Sequence, residues 1–154
     1  MKTKQSAGIL VYRKMVTGAE VFLVHPGGPF WKNKDEGAWS IPKGEFNDSE
    51  NPLDAAKREF LEETGVNLSG DFIELKPVKL KSGKKVSAWA IEKNIDAGNI
   101  ASNTFEMEWP PRSGKSQSFP EVDKGEWFGF EKARKKINVM QVALLDQLEK
   151  ILAG

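Results

Sequence analysis

One segment of the chain, residues 44–66, limits the possible folds more than any other. Asn51 is suited to cap a helix that begins at Pro52, because the first helical turn does not need the N–H that proline lacks. Gly65 fits the left-handed conformation in which many helices end. One face of the intervening stretch carries apolar residues at helical spacing, namely Leu53, Ala56 and Phe60. These features predict an amphipathic helix from Pro52 to Thr64.

Three glutamates of this helix, Glu59, Glu62 and Glu63, are separated by three and four positions and therefore share a face. Like charges this close are destabilising unless something neutralises them, and Arg58 offsets only part of the charge. A divalent cation would neutralise the rest, and carboxylate oxygens without thiolate or imidazole partners favour Mg²⁺ or Mn²⁺. A glutamate-rich helix face is usually a solvated face that carries surface salt bridges, so spacing alone does not establish a metal site.

Composition narrows the chemistry that such a site could perform. The chain has no cysteine and one histidine, His25, so acid–base work falls mainly to carboxylates and lysines. We expect a hydrogen-bonded structural role for His25, which ends a buried-looking strand. The formal net charge of +1 disfavours a nucleic-acid polymer as partner.

The remaining sequence alternates between strand-like and helix-like segments. Strands are predicted at 7–12, 21–24, 39–41, 72–78, 85–91, 105–109 and 126–128, and helices at 131–137 and after Asn138. Gln141 is placed to complete a capping box with Asn138, and residues 110–118 read as a polar loop. This mixed order suggests helices packed on a mixed sheet.

Length and hydropathy bear on organisation and compartment. A chain of 154 residues has the size of a single domain, which we place at residues 1–154. No apolar run is long enough to span a bilayer, so we expect no membrane partner. The residues before Ala7 lack the features of a signal peptide, and the expected compartment is the cytoplasm. The oligomeric state is left open.

The whole segment reads GEFNDSENPLDAAKREFLEETGV and fits the pattern G-x5-E-x7-R-E-U-x-E-E-x-G-U, in which U is apolar. This pattern resembles the Nudix box at every fixed position. The resemblance extends more loosely over the whole chain, and it implies the Nudix fold, an α/β/α sandwich with a mixed β-sheet in the α/β class. Residues 25–31 and 39–45 look most like a bacterial subgroup of predicted nucleotide pyrophosphohydrolases.

The resemblance implies a role for each position of the box. Metal-binding carboxylates would be Glu59, Glu62 and Glu63, with an outer contact from Glu50 and a backbone carbonyl from Lys43 or Gly44. Arg58 would orient a catalytic glutamate through a salt bridge. A glutamate of a later loop can supply a further ligand or the general base, and Glu121 is our candidate for it. Asp123 and Glu108 are weaker candidates.

The activity implied is Mg²⁺- or Mn²⁺-dependent hydrolysis of a pyrophosphate bond in a small nucleotide or similar compound. Lys43 in Pro42-Lys43-Gly44 looks like members that act on dinucleoside polyphosphates or diphosphoinositol polyphosphates. The further candidate substrate contacts are a basic pair and an aromatic pair, Arg112 with Lys115 and Phe30 with Trp31. Each pair also has an interpretation without a role in substrate binding. The basic pair fits solvated surface charge, and the aromatic pair fits an anchor that holds its loop to the core.

Three functions remain open at this point. The first is hydrolysis of a dinucleoside polyphosphate or a nucleoside triphosphate. The second is removal of oxidised deoxynucleoside triphosphates. The third is a nucleotide sensor that binds without cleaving, although such relatives usually lose box carboxylates that this chain keeps. The only tyrosine, Tyr12, lies upstream of the box, whereas dinucleoside tetraphosphate hydrolases commonly use one downstream.

Overall fold

A computed structural model of the chain describes residues 4–154. The prediction that the residues before Ala7 lack the features of a signal peptide concerns, in part, residues 1–3, which lie outside the described range. The strands are β1 Gln5–Met15, β2 Gly18–Pro26, β3 Lys43–Glu45, β4 Ile73–Glu74, β5 Val78–Lys79, β6 Lys85–Glu92, β7 Thr104–Glu108, β8 Ser116–Pro120 and β9 Val122–Gly129. The helices are α1 Pro52–Thr64, α2 Phe130–Lys136 and α3 Val142–Ala153, with short 3₁₀ turns at Ala97–Asn99 and Val139–Gln141.

The main sheet is mixed and has helices on both faces. Its strand order is β4-β6-β1-β2-β9, with β3 paired to β1 and β5 paired to β6. The β1–β6 pair is parallel and the other pairs are antiparallel. One core packs α1 on the face that carries Ala7, Ile9 and Val11, and the other packs α2 and α3 on the face that carries Leu10 and Tyr12. The predicted α/β/α sandwich with a mixed sheet is confirmed.

Helix α1 has the predicted bounds and ends. The Asn51 side chain accepts hydrogen bonds from the N–H groups of Leu53 and Asp54. Gly65 ends the helix at φ 79°, and its N–H donates to the Leu61 carbonyl. Local chemistry therefore fixes where this helix begins and ends, and with it the spacing of the box glutamates.

Three predicted segments differ from the strands and loops of the structure. Residues 39–41 do not form a strand, and Trp39 and Ser40 make only isolated bridges. The strand in this region is β3, which begins at Lys43. The predicted strand 72–78 is split into β4 and β5, with Pro77 between them. The predicted loop 110–118 is shorter, because β8 begins at Ser116.

Gln141 does not complete a capping box. Its buried side chain accepts from the Ile41 N–H at 3.1 Å and donates to the Ser40 hydroxyl at 3.0 Å, so it joins the start of α3 to the segment before β3. This long-range demand outcompetes the local cap. No helix within residues 4–154 is both long and apolar enough to cross a lipid bilayer.

Strands β7 and β8 form a separate two-stranded ribbon. Its base is tied to α1, because the Asn103 N–H donates to the Glu62 carbonyl at 2.7 Å and the Glu121 N–H donates to the Asn103 carbonyl at 2.8 Å. The ribbon therefore leaves the body of the protein beside the glutamates of the box.

Candidate active site

Glu59 lies against the backbone of Gly44, where β3 meets α1. A Cβ built on Gly44 would stand 2.0 Å from the carboxyl carbon and Oε1 of Glu59, so only glycine leaves room for this carboxylate. The Glu59 side chain is 11% exposed, and its Oε2 is buried without a hydrogen-bond partner. Burial, together with the negative charge of Glu62, raises the pKa of Glu59 to about 7. An acceptor oxygen left bare in this way is poised for a cation.

Arg58 organises the carboxylates on the exposed side of the same helix. It holds Glu50 in a two-bond fork, with Nε donating to Oε2 at 2.8 Å and Nη2 to Oε1 at 2.9 Å. Its Nη1 lies 3.3 Å from Glu62 Oε1 and 3.5 Å from Glu59 Oε1. The fork lowers the pKa of Glu50 and raises that of Arg58. Both oxygens of Glu50 therefore accept hydrogen bonds from Arg58. Glu50 is paired with Arg58 and does not join Glu59 beside Gly44.

Glu63 lies beside the exposed edge of β3. Burial, with the charge of Glu59 adding to it, raises the pKa of Glu63 to about 8. Lys43 opposes this shift through its ammonium charge and, to a smaller extent, through its backbone N–H. Lys43 pairs with Gly8 between two hydrogen-bonded pairs of the β1–β3 ladder, so its N–H and its C=O both point away from β1. The Gly44 carbonyl, one of the two considered as metal ligands, is therefore bonded to β1 within the ladder. The Lys43 carbonyl is not, so it is free of the ladder and open to a ligand role.

Glu121 comes to this group from the far end of the chain. It stands between β8 and β9, and its carbonyl accepts from the Gly27 N–H at 2.9 Å. Burial, and after it the charge of Glu62, raises the pKa of Glu121, while Glu121 in turn raises the pKa values of Glu59 and Glu63. A small cavity of about 140 Å³ separates the strands here, lined by Val24, Pro26, Ser40, Ile41, Lys43, Glu63, Glu121 and Val122. Glu121 therefore neighbours the box glutamates.

The four glutamates are close neighbours without forming a finished metal site. Within residues 4–154, no three acidic or histidine side chains are already arranged as a ligand set. The negative charges of neighbouring glutamates nevertheless raise the pKa values of Glu59, Glu63 and Glu121, so these carboxylates lie within electrostatic range of one another and of Glu62. The bare Glu59 oxygen, the space that Gly44 leaves and the all-oxygen donor set suit a hard divalent cation, with side-chain rotations completing its coordination.

Other predicted residues lie farther away. Arg112 and Lys115 are exposed in the turn between β7 and β8, and the length of β7 places them roughly 17 Å from the base of the ribbon. Glu108 accepts from the N–H groups of Arg112 and Gly114, at 2.9 and 3.2 Å, so it holds this turn. The structure does not bring the basic pair to the carboxylates.

His25 has the structural role expected of it. Its buried ring lies with Nδ1 2.9 Å from Asp123 Oδ1 and Nε2 2.6 Å from the Lys34 carbonyl. These two contacts hold the loop of residues 27–37 against β9. They also occupy the Asp123 carboxylate that had been a weaker candidate for the base.

Phe30 and Trp31 project from this loop and do not anchor it in either core. Their exposed fractions are 62% and 39%. The Phe30 ring packs edge-on against Trp109 of the ribbon with ring centres 5.6 Å apart, and Trp31 lies under the Lys34 ammonium at 5.0 Å. Trp109 was missed in the sequence, because a contact 79 positions away leaves no local pattern.

The raised pKa values predict a stability profile for the metal-free protein. Glu59 and Glu63 have folded pKa values of about 7 and 8, above the 4.5 of a free glutamate. The folded state therefore binds extra protons in this window, and the free energy of unfolding falls as pH rises from about 4.5 to 8. We expect the difference in melting temperature between wild type and Glu63→Gln to change across this window. Saturating Mg²⁺ should raise the wild-type melting temperature more at pH 8 than at pH 6, because fewer protons compete. If the melting temperatures of the two proteins changed with pH in the same way, the raised pKa of Glu63 would be contradicted.

Comparison with known proteins agrees with the box and the fold. A family model described as "NUDIX domain" matches residues 2–148. A Caenorhabditis elegans Ap4A hydrolase in a binary complex is similar at 22% identity, over 97% of this chain and 98% of that one, with a TM-score of 0.68. The NUDIX domain of Shewanella oneidensis NrtR, complexed with ADP ribose, is similar at 14% identity, over 99% and 90%, with a TM-score of 0.69.

A mutT/nudix family protein from Listeria innocua is similar at 14% identity, over 99% of this chain and 96% of that one, with a TM-score of 0.65. At these identities the solved structures speak for the fold alone, whereas the family model spans nearly the whole sequence. The chain belongs to the Nudix family and is a Nudix hydrolase.

Proposed function

We propose that this enzyme is a Mg²⁺- or Mn²⁺-dependent pyrophosphohydrolase whose substrate is a dinucleoside polyphosphate or a nucleoside triphosphate. The observation that carries the metal dependence is the buried, partnerless Oε2 of Glu59, held against Gly44 among three further glutamates. Leaving such an oxygen bare costs free energy that a bound cation would recover.

The residues that would hold the cation are Glu59, Glu62, Glu63, Glu121 and the carbonyl of Lys43. Glu50 would act at one remove, by fixing Arg58, which in turn sets the positions of Glu59 and Glu62. A divalent cation bound there offsets the negative charge of a pyrophosphate group and lowers the pKa of a water molecule.

Glu121 is the proposed acceptor of the proton from the attacking water. It lies on the open side of the group, makes no ion pair with Arg58 and has a raised pKa, which suits a general base near neutral pH. Glu62 is held by Arg58 and is the alternative acceptor. In either case the water oxygen attacks phosphorus and the bridging oxygen leaves with the other phosphate.

The substrate class is argued from Lys43 and the exposed aromatics. The Lys43 side chain is half-buried, and its pKa is lowered by burial and by Lys84 and raised by the charges of Glu63, Glu45 and Glu59. A further phosphate beside it would add the anionic partner that a buried lysine needs. The loop that begins at Gly27, next to Glu121, carries Phe30 and Trp31, which with Trp109 offer ring faces to a nucleobase. Arg112 and Lys115 would contact only a long substrate that follows the ribbon.

The test is a substrate panel with Mg²⁺ in which product release is followed for the wild type and for Glu62→Gln. We expect the wild type to cleave dinucleoside polyphosphates or nucleoside triphosphates, and the variant to lose turnover while its circular dichroism stays unchanged. Cleavage of oxidised deoxynucleoside triphosphates above all others would favour the sanitising function. Nucleotide binding without turnover of any pyrophosphate would favour a sensor and reject the proposal.

A further inference from the structure

A second charged recess lies outside the group of glutamates. It is a cleft of about 650 Å³ between the start of β1 and the turn that joins β5 to β6, and it is lined by Lys4, Lys79, Ser82, Gly83 and Lys84. We call these five residues the lysine cleft. Its lining contains three lysines and no acidic residue.

Two lysines of the cleft, Lys4 and Lys84, lie on the sheet face opposite to α1. Side chains alternate along a strand, so Lys84 shares the face of Val86, which packs in the core of α2 and α3. Gly44 faces Glu59, so its neighbours in β3, Lys43 and Glu45, project to the face that carries Lys84. Glu45 lies 3.6 Å from the Lys84 ammonium and 4.0 Å from that of Lys4. One carboxylate therefore pairs with two lysines, which leaves an excess of positive charge.

Lys43 joins the lysine cleft to the active site. It lines the cavity that holds Glu63 and Glu121. The next residues of β3, Gly44 and Glu45, contact Glu59 and Lys84. Because Gly44 touches Glu59 and the adjacent Glu45 reaches Lys84, the two sites are separated by a distance on the order of 10 Å. A linear chain of several phosphate groups covers such a span.

β3 leaves a route between the two sites. It has three residues and pairs only with β1 among the strands of residues 4–154. Its other edge presents the backbone of Lys43 to the cavity that holds Glu63 and Glu121. An extended anion bound at the glutamates can pass over this edge, beside Lys43, toward Lys84.

We propose that the lysine cleft binds the phosphate groups of the substrate that lie beyond the cleaved bond, and so selects substrates with long polyphosphate chains. This inference rests on the proposed hydrolysis. Lysine suits the role because it acts as a point charge on a flexible stem, without requiring one fixed phosphate geometry.

Kinetics with substrates of different length tests the selection. For Lys4→Ala/Lys84→Ala we expect KM for a dinucleoside tetraphosphate to rise about tenfold, the loss of one or two exposed charge contacts, while kcat changes less than twofold. KM for ADP-ribose, which has two phosphates, should not change. Lys85→Ala is the matched control, because this exposed neighbour projects to the opposite face. Equal KM changes for long and short substrates would overturn the proposal.

A binding experiment without metal separates this inference from the proposed function. Inorganic tripolyphosphate is titrated calorimetrically into full-length protein in EDTA, where hydrolysis plays no part. We expect wild type and Lys85→Ala to bind alike, and Lys4→Ala/Lys84→Ala to bind about tenfold more weakly, with affinities that fall as salt increases. Glu45→Gln should bind more tightly, because it removes the competing carboxylate. Identical binding by the wild type and the double variant would overturn the proposal even if the enzyme hydrolyses nucleotides.

Discussion

Replacing Glu59 by glutamine is expected to lower turnover by about a thousandfold, the scale of losing one charged group that acts on the reacting phosphate. The same change should leave the metal-free protein as stable as the wild type or more stable. Glutamine keeps the shape of the side chain and removes a buried charge that sits beside Glu62 and has a pKa of about 7. Stability and activity are therefore expected to move in opposite directions.

The measurements are kcat with saturating Mg²⁺ and the melting temperature in EDTA and in Mg²⁺. In EDTA, Glu59→Gln should melt at or above the wild-type temperature at pH 8. In Mg²⁺ it should gain less stability than the wild type, because one ligand is lost. Glu131→Gln, an exposed glutamate of α2, supplies a control with the same change of charge. Turnover within tenfold of the wild type would show that Glu59 is not needed for the chemistry.

Gly44→Ala is expected to cost about 2 kcal/mol of stability and to lower turnover by about a hundredfold. The added methyl carbon would overlap the Glu59 carboxylate at 2.0 Å, so the side chain or the strand must move. A displacement near 1 Å at a catalytic group is enough for a loss of this size. Gly129→Ala is the control, because a Cβ at Gly129 meets no atom within 4 Å.

A double variant tests whether the clash is with Glu59 itself. In Gly44→Ala/Glu59→Ala the shorter side chain leaves room for the new methyl group. We therefore expect the stability cost of Gly44→Ala to fall when Glu59→Ala is also present, while turnover stays lost. Additive losses of stability in chemical denaturation would mean that Gly44 serves another purpose, such as the geometry of β3.

The fold and the core of the site were predictable where their causes are local. Helix α1, its Asn51 cap and its Gly65 terminus follow from short-range hydrogen bonding and backbone preference. That helix places Glu59, Glu62 and Glu63 on one face whatever surrounds it. Predictions failed where a distant partner decided the outcome, as with Gln141, whose amide binds Ile41 and Ser40 instead of capping α3.

The substrate-binding predictions divide in the same way. Phe30 and Trp31 are exposed on a loop, as residues that contact a ligand must be, yet their ring partner Trp109 comes from a ribbon that no local pattern joins to them. Arg112 and Lys115 are, like Lys43, predicted substrate contacts. The length of β7 and β8 keeps them at the tip of the ribbon, whereas the β1–β3 ladder holds Lys43 at the carboxylates.

The family, the helix that carries the glutamates and their spacing can be read from residues 44–66, because a helix and its ends depend on contacts within a few residues. Folding of the whole chain brings Glu121 and the Lys43 backbone to this helix, leaves space for Glu59 beside Gly44 and gathers Lys4, Lys79 and Lys84 around one cleft. Those neighbours come from strands far apart in the chain, and the pairing of strands follows from the burial of whole sheet faces, which no short segment encodes.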